Sequence, residues 1–156
     1  MGVYRAARAA LGSHAEAEDA AQDAFVLAWR RLDSFRADAS FRTWLLTIAW
    51  HQAINRRRSL LRWWTRTMPL EEGEAPAGAA APCATASREL RRDIVIAIRA
   101  LSPKLRDALL LAQSGDYTYA EIGTMVHAPL GTIKWRIAEA RRLVQRLQEL
   151  GHGQLG

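Results

Sequence analysis

Residues 118–142, TYAEIGTMVHAPLGTIKWRIAEARR, contain the pattern that decides the fold of this 156-residue chain. Thr118 and Glu121 have the spacing of a capping box, which predicts the start of a short helix. The break HAPLG at 127–131 ends that helix, and the arginine-rich stretch Thr132–Leu150 is predicted to form a longer one. A short helix, a tight break and a longer helix predict a helix-turn-helix, the motif that places its second helix in the major groove of DNA.

The long helix has an apolar face that includes Ile133 and Ile137, placed by a wheel of 100° per residue. Trp135 lies outside that face, near the amino-terminal end of the helix. This is the end of a recognition helix that meets base edges. Gly123 fits the sharp crossing of the two helices, because a side chain there would separate them. The alternative is an ordinary helical hairpin with a solvated polar face.

The charge of the chain lies in two separate blocks. There are 22 Lys and Arg against 16 Asp and Glu, a net charge of +6, and 20 of the 22 basic residues are arginine. Residues 1–68 and 88–156 are both basic, whereas residues 69–87, PLEEGEAPAGAAAPCATAS, have no basic residue and read as a flexible linker. We therefore predict two small domains at 1–68 and 88–156. Because guanidinium suits phosphate and base-edge contacts, nucleic acid is the favoured partner class.

Both blocks have helical periodicity, so the predicted fold class is all-α, with two helical domains and a helix-turn-helix in the second. The first nine or so residues already read as the inside of a helix. The remaining predicted helices run from the capping box Ser13–Glu16 to Leu32, from Phe41 to Arg58, from Ser87 to Leu101 and from Pro103 to a stop at Gly115. In the first of these, Ala21, Phe25, Trp29 and Leu32 are predicted to form a core stripe.

The amino-terminal block interleaves aromatics with arginines. In Phe35–Trp44 the two kinds of residue surround a loop, and the run Asn55–Arg58 follows on the next helix. Unpaired bases stack on aromatic rings while arginines hold phosphates, so this pattern favours single-stranded DNA binding. For Phe41 and Trp44, burial in the core is the alternative.

The preceding helix has an acidic and polar stripe of three residues. Asp19, Gln22 and Asp23 lie at positions i, i+3 and i+4. Because negative charge does not help DNA binding, the stripe is either a protein-docking face or a plain solvated face.

Several function classes are excluded by what the sequence lacks. The single Cys83 allows no intramolecular disulfide, and the four histidines show no metal-ligand spacing, so we expect neither metal nor cofactor. Enzymatic activity is not expected, because the sequence has no recognisable nucleophile–base set, phosphate-binding glycine loop or paired-carboxylate pocket. No apolar run is long enough for membrane insertion, and a cytoplasmic location is expected.

Three segments together resemble bacterial RNA polymerase sigma factors of the extracytoplasmic-function group. Residues 17–29, AEDAAQDAFVLAW, resemble region 2.2 of that family, and residues 35–45 resemble region 2.3. Residues 129–134, PLGTIK, open its region 4.2 recognition helix. The resemblance covers about residues 3–66 and 88–148.

The resemblance implies a promoter-binding transcription initiation factor, with roles for particular residues. Asp19, Gln22 and Asp23 would contact core RNA polymerase. Promoter DNA would be bound at its minus-ten element by Arg36, Ser40, Phe41, Trp44, His51, Asn55 and Arg56. The minus-thirty-five element would be bound by Thr132, Lys134, Trp135, Arg136, Glu139 and Arg142. An anti-sigma factor is a further expected partner.

Some positions depart from the usual family pattern. His51 lies where Asn is frequent, Trp135 replaces a small residue, and Glu139 stands where a phosphate-compatible group is frequent. His127 occupies a turn position usually given to glycine, so a strained left-handed backbone is expected there. The family's first helix also begins some twenty residues earlier, which raises the expectation of an incomplete amino terminus.

Two rival functions stay open. A conventional helix-turn-helix regulator would bind DNA without polymerase, usually as a symmetric dimer, and would leave the acidic stripe without a role. A sigma mimic that sequesters an anti-sigma factor would bind protein rather than DNA. A sigma factor, in contrast, must span two promoter elements about 85 Å apart at B-DNA spacing, which requires a nearly extended linker.

Overall fold

The computed structural model describes the backbone of residues 2–67 and 85–153 and, apart from 61, 63–91 and 151–153, their side chains. Every regular element in these residues is helical, which confirms the all-α prediction. The predicted linker falls mostly on residues 68–84, outside the described part. The helices are α1 (Gly2–Leu11), α2 (His14–Arg30), α3 (Phe41–Thr67), α4 (Thr85–Ala100), α5 (Pro103–Gln113), α6 (Tyr119–Val126) and α7 (Leu130–Gly153), with a 3₁₀ turn at Leu32–Ser34.

The helix starts follow the capping residues found in the sequence. Ser13 Oγ accepts a hydrogen bond from the Glu16 amide at 3.5 Å. The capping box of α6 is complete: the Glu121 amide donates to Thr118 Oγ1 at 3.2 Å, and the Thr118 amide donates to Glu121 Oε2 at 2.8 Å. These bonds satisfy amide groups that a helix start leaves unpaired. Gly115 has a φ of +74°, consistent with its predicted role after α5.

The buried face of α2 differs from the predicted one. Of the predicted core stripe, Ala21 is buried, but Phe25, Trp29 and Leu32 are 54%, 79% and 45% exposed. Alanine side chains allow α2 to approach α1 and α3 closely, so the large apolar residues lie on the opposite face. The core-stripe prediction was therefore wrong for the three large residues. The face that is buried consists of Ala17, Ala20, Ala21, Ala24 and Ala28.

The two blocks of the chain pack against each other around a shared core. Helix α3 packs against α6, and α1 packs against α5. One continuous cluster of buried side chains includes Leu46 and Trp50 from α3 together with Leu111, Ile122 and Met125 from the second block. Burial of this apolar surface favours the packed arrangement. The distribution of charge along the sequence gave no indication that the two blocks pack against each other.

Ion pairs between distant parts of the chain surround the shared core. The Arg57 guanidinium donates to both carboxylate oxygens of Asp107, at 3.0 and 3.3 Å, and both side chains are mostly buried. Arg42 pairs with Glu121 and also donates to the Asp116 carbonyl at 2.8 Å. Arg5 pairs with the Asp116 side chain. A two-oxygen contact such as that of Arg57 fixes orientation as well as distance.

Two groups at this boundary have shifted pKa values that suit their contacts. Burial, followed by the charge of Asp116, raises the pKa of Tyr117 to about 12. The phenol therefore keeps the proton that it donates to the Gly2 carbonyl at 2.6 Å. Burial alone would raise the pKa of Glu121, but the Thr118 amide and Arg42 hold this pKa below its ordinary value.

In the part of the chain that the structure describes, the search for a helix long and apolar enough to cross a bilayer finds none.

Candidate functional site

The exposed face of α2 combines carboxylates with large apolar side chains. Asp19, Gln22 and Asp23 are all exposed, as both the docking-face and the solvated-face interpretations predict. Large apolar groups exposed together on a small protein typically mark an interaction site. We call this face the α2 surface, and it consists of Asp19, Gln22, Asp23, Phe25, Val26 and Trp29.

Arg56 lies against this surface rather than beside the predicted DNA-binding residues. Its guanidinium pairs with Glu16 and donates to Asp19 Oδ2 at 3.0 Å and to Asp23 Oδ2 at 3.5 Å. The hydrogen bond that the Arg56 guanidinium donates to Glu16 is the largest of the effects that raise the pKa of Arg56. For Arg56 to contact minus-ten DNA, as the sequence predicts, it would have to leave these three carboxylates.

Three aromatic rings lie next to one another where the loop before α3 meets the first turn of that helix. Phe35 meets Phe41 edge-on at 5.6 Å between ring centroids, and Trp44 lies 5.3 Å from Phe35 and 5.5 Å from Phe41. Phe41 is 48% exposed and Trp44 half-buried, so the core alternative does not hold for Phe41. The rings brace each other while leaving aromatic surface open to a stacking partner.

The same loop is held by local hydrogen bonds and includes a strained residue. Ser40 Oγ accepts from the Thr43 amide at 3.1 Å and so caps α3. Ala37 has a φ of +58°, a left-handed conformation that costs a residue with a side chain about 1–2 kcal/mol. Arg36 is exposed beside it. Such strain is often found where a loop is preformed for a ligand.

His51 and Asn55 lie on α3 at the boundary with the second block. His51 Nε2 lies 3.2 Å from the Met125 carbonyl, and its ring is 5.0 Å from that of His127. His51 and Asn55 line a cavity between the blocks, together with Arg58 from α3 and Arg136 from α7. In the packed arrangement, therefore, residues predicted for both promoter elements face one another.

We expect the packing of the two blocks to weaken as the pH falls below about 6.5. Burial, followed by the charges of His127 and Arg58, lowers the pKa of His51 in the packed state, although the hydrogen bond to Met125 opposes the shift. In separated blocks the pKa should return to its ordinary value near 6.5. Above that pH His51 is neutral in both states, whereas below it only the separated state takes up the proton readily.

The check is urea denaturation of the wild type and His51→Asn between about pH 7.5 and 5.5. The free energy of unfolding should fall more steeply with decreasing pH in the wild type than in His51→Asn. The difference should be small, because His51 remains partly exposed. The other ionisable groups around the cavity are Lys104, Asp107 and Arg136, and they are present in both proteins. Parallel pH profiles would contradict the assignment to His51.

The first turns of α7 bury one apolar face and expose the opposite face, as the sequence predicts. Ile133, Ile137 and Ala140 are buried, whereas Lys134 is exposed and Trp135 is 61% exposed. Thr132 and Arg136 are half-buried at the edges of this face. A flat aromatic ring beside a lysine at the helix start can contact a base methyl group while the ammonium binds phosphate.

Glu139, the unexpected acid on this face, is neutralised by a neighbour. Arg142 Nε donates to Glu139 Oε2 at 2.8 Å, and a second guanidinium nitrogen also binds the carboxylate. The Arg142 hydrogen bond is the main reason that the pKa of Glu139 lies below its usual value. The pair therefore carries little net charge on the predicted DNA-binding face.

The turn between α6 and α7 has the backbone geometry that the sequence predicts. His127 caps α6 with φ 53° and ψ 52°, a left-handed conformation. A Cβ on Gly123 would lie 2.7 Å from the Ala128 carbonyl oxygen, closer than side chains tolerate. The Ala128 amide donates to the Gly123 carbonyl at 2.8 Å and closes the turn.

Sequence reasoning missed the residues that join the two blocks. Arg5, Arg42 and Arg57 pair with acids 50 or more positions away, and no local pattern marks such partners. Among the described residues, no group of three His, Cys, Asp or Glu side chains could hold a metal ion. Cys83 lies outside those residues.

Solved structures of sigma factors have the same fold. The sigma factor RpoE from Bartonella quintana, in complex with the anti-sigma factor NepR, aligns with a TM-score of 0.64 at 24% identity, over 94% of this chain and 89% of its own. CnrH in complex with the cytosolic domain of CnrY aligns with a TM-score of 0.64 at 23% identity, over 96% and 81% of the two chains.

Sequence comparisons give the family. Residues 2–65 match Sigma-70 region 2, and residues 91–144 match Sigma-70 region 4. The ECF RNA polymerase sigma-E factor of Escherichia coli K12 is 33% identical over 138 residues, 81% of this chain and 70% of that protein. The ECF RNA polymerase sigma factor SigW of Bacillus subtilis is 30% identical over 152 residues, 92% and 81% of the two chains. The chain therefore belongs to the extracytoplasmic-function group of RNA polymerase sigma factors.

Proposed function

We propose that this protein directs promoter-specific initiation of transcription by bringing core RNA polymerase to DNA with particular minus-ten and minus-thirty-five elements. The observation that carries the proposal is the α2 surface, where large apolar side chains lie unburied beside carboxylates. A DNA-binding regulator acting alone has no use for such a surface. The protein works by binding rather than catalysis, in the cytoplasm where polymerase and chromosome meet.

The minus-ten element is read by the loop before α3 and the exposed side of that helix. The braced rings of Phe41 and Trp44 offer a stacking platform for an unpaired base, and Arg36 lies beside them to hold phosphate. Ser40 keeps the loop in register with α3 through its cap. His51 and Asn55 continue this face along α3 and complete the proposed contact.

The minus-thirty-five element is read by the first turns of α7 in the major groove. Lys134 and Trp135 are the exposed residues nearest the helix start, and Thr132 precedes them. The Glu139–Arg142 pair lies further along the same face. Because Glu139 engages Arg142, cytosine contacts by Glu139 and phosphate contacts by Arg142 would both require this pair to open.

The packed arrangement cannot engage both elements at once. The elements are about 85 Å apart along B-DNA, whereas α3 and α6 are in direct contact. His51, which belongs to the proposed minus-ten face, is bound to the Met125 carbonyl of the second block. We infer that the blocks separate when the protein engages polymerase and promoter, and that an anti-sigma partner can act by preventing this.

Transcription in vitro tests the proposal directly. Purified core polymerase, this protein and a library of promoters with randomised elements should yield transcripts that depend on the protein and share two sequence motifs. A conventional helix-turn-helix regulator would instead bind DNA without polymerase and start no transcript. A sigma mimic would neither start transcripts nor select DNA, and either outcome would overturn the proposal.

Replacing Trp135 by alanine is expected to change which minus-thirty-five sequences are used. The ring is 61% exposed at the start of α7, so its loss should weaken one base preference by about 1–3 kcal/mol while leaving the fold intact. Sequencing the transcripts of the randomised library measures the preference. Leu150→Ala, at an exposed apolar residue near the far end of α7, is the matched control. An unchanged preference in Trp135→Ala would remove Trp135 from the DNA contacts.

A further inference from the structure

A cavity of about 400 Å³ lies between the two blocks, where α3 faces α5, α6 and the first turns of α7. Its volume falls within the usual range for small-molecule sites in proteins. One wall is apolar and includes Trp50, Ile54 and Val126. The cavity exists only while the blocks are packed, because its walls come from both of them.

Three cationic side chains converge on this cavity from three helices. Arg58 comes from α3, Lys104 from α5 and Arg136 from α7. None of the three forms an ion pair with another residue in the part of the chain that the structure describes. Like charges that face one another without counter-ions repel, so the packed state would gain from an anion placed between them.

The one carboxylate of the lining does not balance these charges. Asp107 already accepts three hydrogen bonds from Arg57 through its two oxygens. Asn55 and His127 add groups that can donate hydrogen bonds, whereas His51 already donates its Nε2–H to the Met125 carbonyl. The cavity therefore combines an excess of positive charge with several hydrogen-bond donors.

We propose that this cavity binds a pyrophosphate group, either free or carried by a nucleotide. Guanidinium groups such as those of Arg58 and Arg136 fit phosphate oxygens in pairs, and Lys104 supplies a third point charge. The volume exceeds what a single phosphate fills, which leaves room for a second phosphate and for a base or ribose.

A ligand in this cavity would favour the packed arrangement. It would bridge Arg58 of the first block to Lys104 and Arg136 of the second, and a ligand that binds only one arrangement shifts the equilibrium toward it. On the proposed function, on which this consequence rests, pyrophosphate would reduce promoter use by holding the two blocks together, because the packed arrangement cannot engage both promoter elements at once. The binding itself does not depend on that function.

Isothermal titration of the full chain with inorganic pyrophosphate, without divalent cations and at constant ionic strength, tests the site. Saturable binding is expected for the wild type, and Lys104→Gln should weaken it about tenfold through loss of one charge-assisted contact. Lys104 is exposed, so the substitution does not disturb the core. Arg141→Gln removes an exposed charge outside the cavity lining and should bind as the wild type does.

A second variant tests the dependence on packing. Arg42→Ala removes contacts to Glu121 and the Asp116 carbonyl without touching the cavity, and it should also weaken pyrophosphate binding. Absence of saturable binding by the wild type, or equal binding by Lys104→Gln, would overturn the site. Because no polymerase is present, these outcomes are independent of whether the protein starts transcription.

Parallel titrations identify the source of the pyrophosphate group. Tighter binding of adenosine diphosphate than of pyrophosphate would assign the site to a nucleotide, whereas equal or weaker binding would assign it to the free anion. A short single-stranded oligonucleotide serves as the third titrant. If only the oligonucleotide binds, the cations belong to a DNA surface and the small-anion site is overturned.

Discussion

Replacing both Asp19 and Asp23 by lysine is expected to abolish association with core RNA polymerase. Both carboxylates are exposed on the α2 surface, next to the apolar side chains of Phe25, Val26 and Trp29. Once a partner covers that apolar surface, the charges beside it lose water, and a mispaired charge in an interface costs about 2–5 kcal/mol. Two reversals should weaken binding about a thousandfold or more.

The experiment is co-purification of tagged protein with core polymerase. Asp33→Lys combined with Glu149→Lys changes the net charge by the same amount at exposed positions that lie outside the α2 surface and do not pair with Arg56, and this control should still bind. In the test variant Arg56 retains Glu16 as a partner, so circular dichroism should show an unchanged helix content. Co-purification of the folded test variant with core would refute the docking assignment.

The contacts of Arg56 give this surface an internal support that the sequence did not reveal. Arg56 bridges from α3 to Glu16, Asp19 and Asp23 on α2, and so holds the carboxylates in place. The run of three arginines after Asn55 favoured nucleic acid, and the resemblance placed Arg56 at the minus-ten element. Within that run, however, Arg56 faces α2, Arg57 faces Asp107 and Arg58 faces the cavity. Adjacent side chains on a helix point about 100° apart, so the three consecutive arginines reach three different parts of the structure.

Local patterns predicted the elements of the fold well, because their causes are local. A capping box, a proline at a first turn and a glycine at a crossing each act within a few residues, and α6 and its turn follow them closely. The apolar face of α2 was mispredicted because the sequence offers both large apolar residues and alanines at helical spacing. Close packing against α1 and α3 selects the alanines, and that choice depends on neighbours that one helix does not encode.

The packing of the two blocks could not be predicted from the sequence for a related reason. It depends on partners such as Arg57 with Asp107 and Tyr117 with the Gly2 carbonyl, which lie 50 and 115 positions apart. Charge counts by segment predicted two basic surfaces, one in each block. They could not show that these surfaces meet, because like charges alone would keep them apart. Apolar burial around Trp50, Ile122 and Met125 is what brings them together.

Replacing Gly123 by alanine is expected to destabilise the protein by about 1–3 kcal/mol, the usual cost of overpacking. The added Cβ would lie 2.7 Å from the Ala128 carbonyl oxygen, which belongs to the backbone and cannot rotate away. To relieve the contact, the turn must open, and α7 must shift relative to α6. The neighbouring Ile133 side chain, 3.6 Å from the same point, limits the shift in the other direction.

The control is Gly131→Ala in the same motif. A Cβ at Gly131 meets nothing within 4 Å, and alanine favours a helix over glycine by about 0.5–1 kcal/mol, so this variant should be slightly more stable than the wild type. Urea denaturation of the three proteins gives the differences in free energy of unfolding. Equal stability of the two variants would mean that the helix crossing is looser than described.

The effect of Gly123→Ala should reach beyond the helix-turn-helix. Helix α6 supplies Ile122 and Met125 to the shared core and the Met125 carbonyl to His51 of the first block. A displaced α6 therefore loosens the packing between blocks as well as the position of the recognition helix. We accordingly expect the variant to lose selection of minus-thirty-five sequences while retaining association with core polymerase, because the α2 surface lies on the other block and keeps its support from Arg56. Loss of both activities together would instead show that the two blocks fold as one unit.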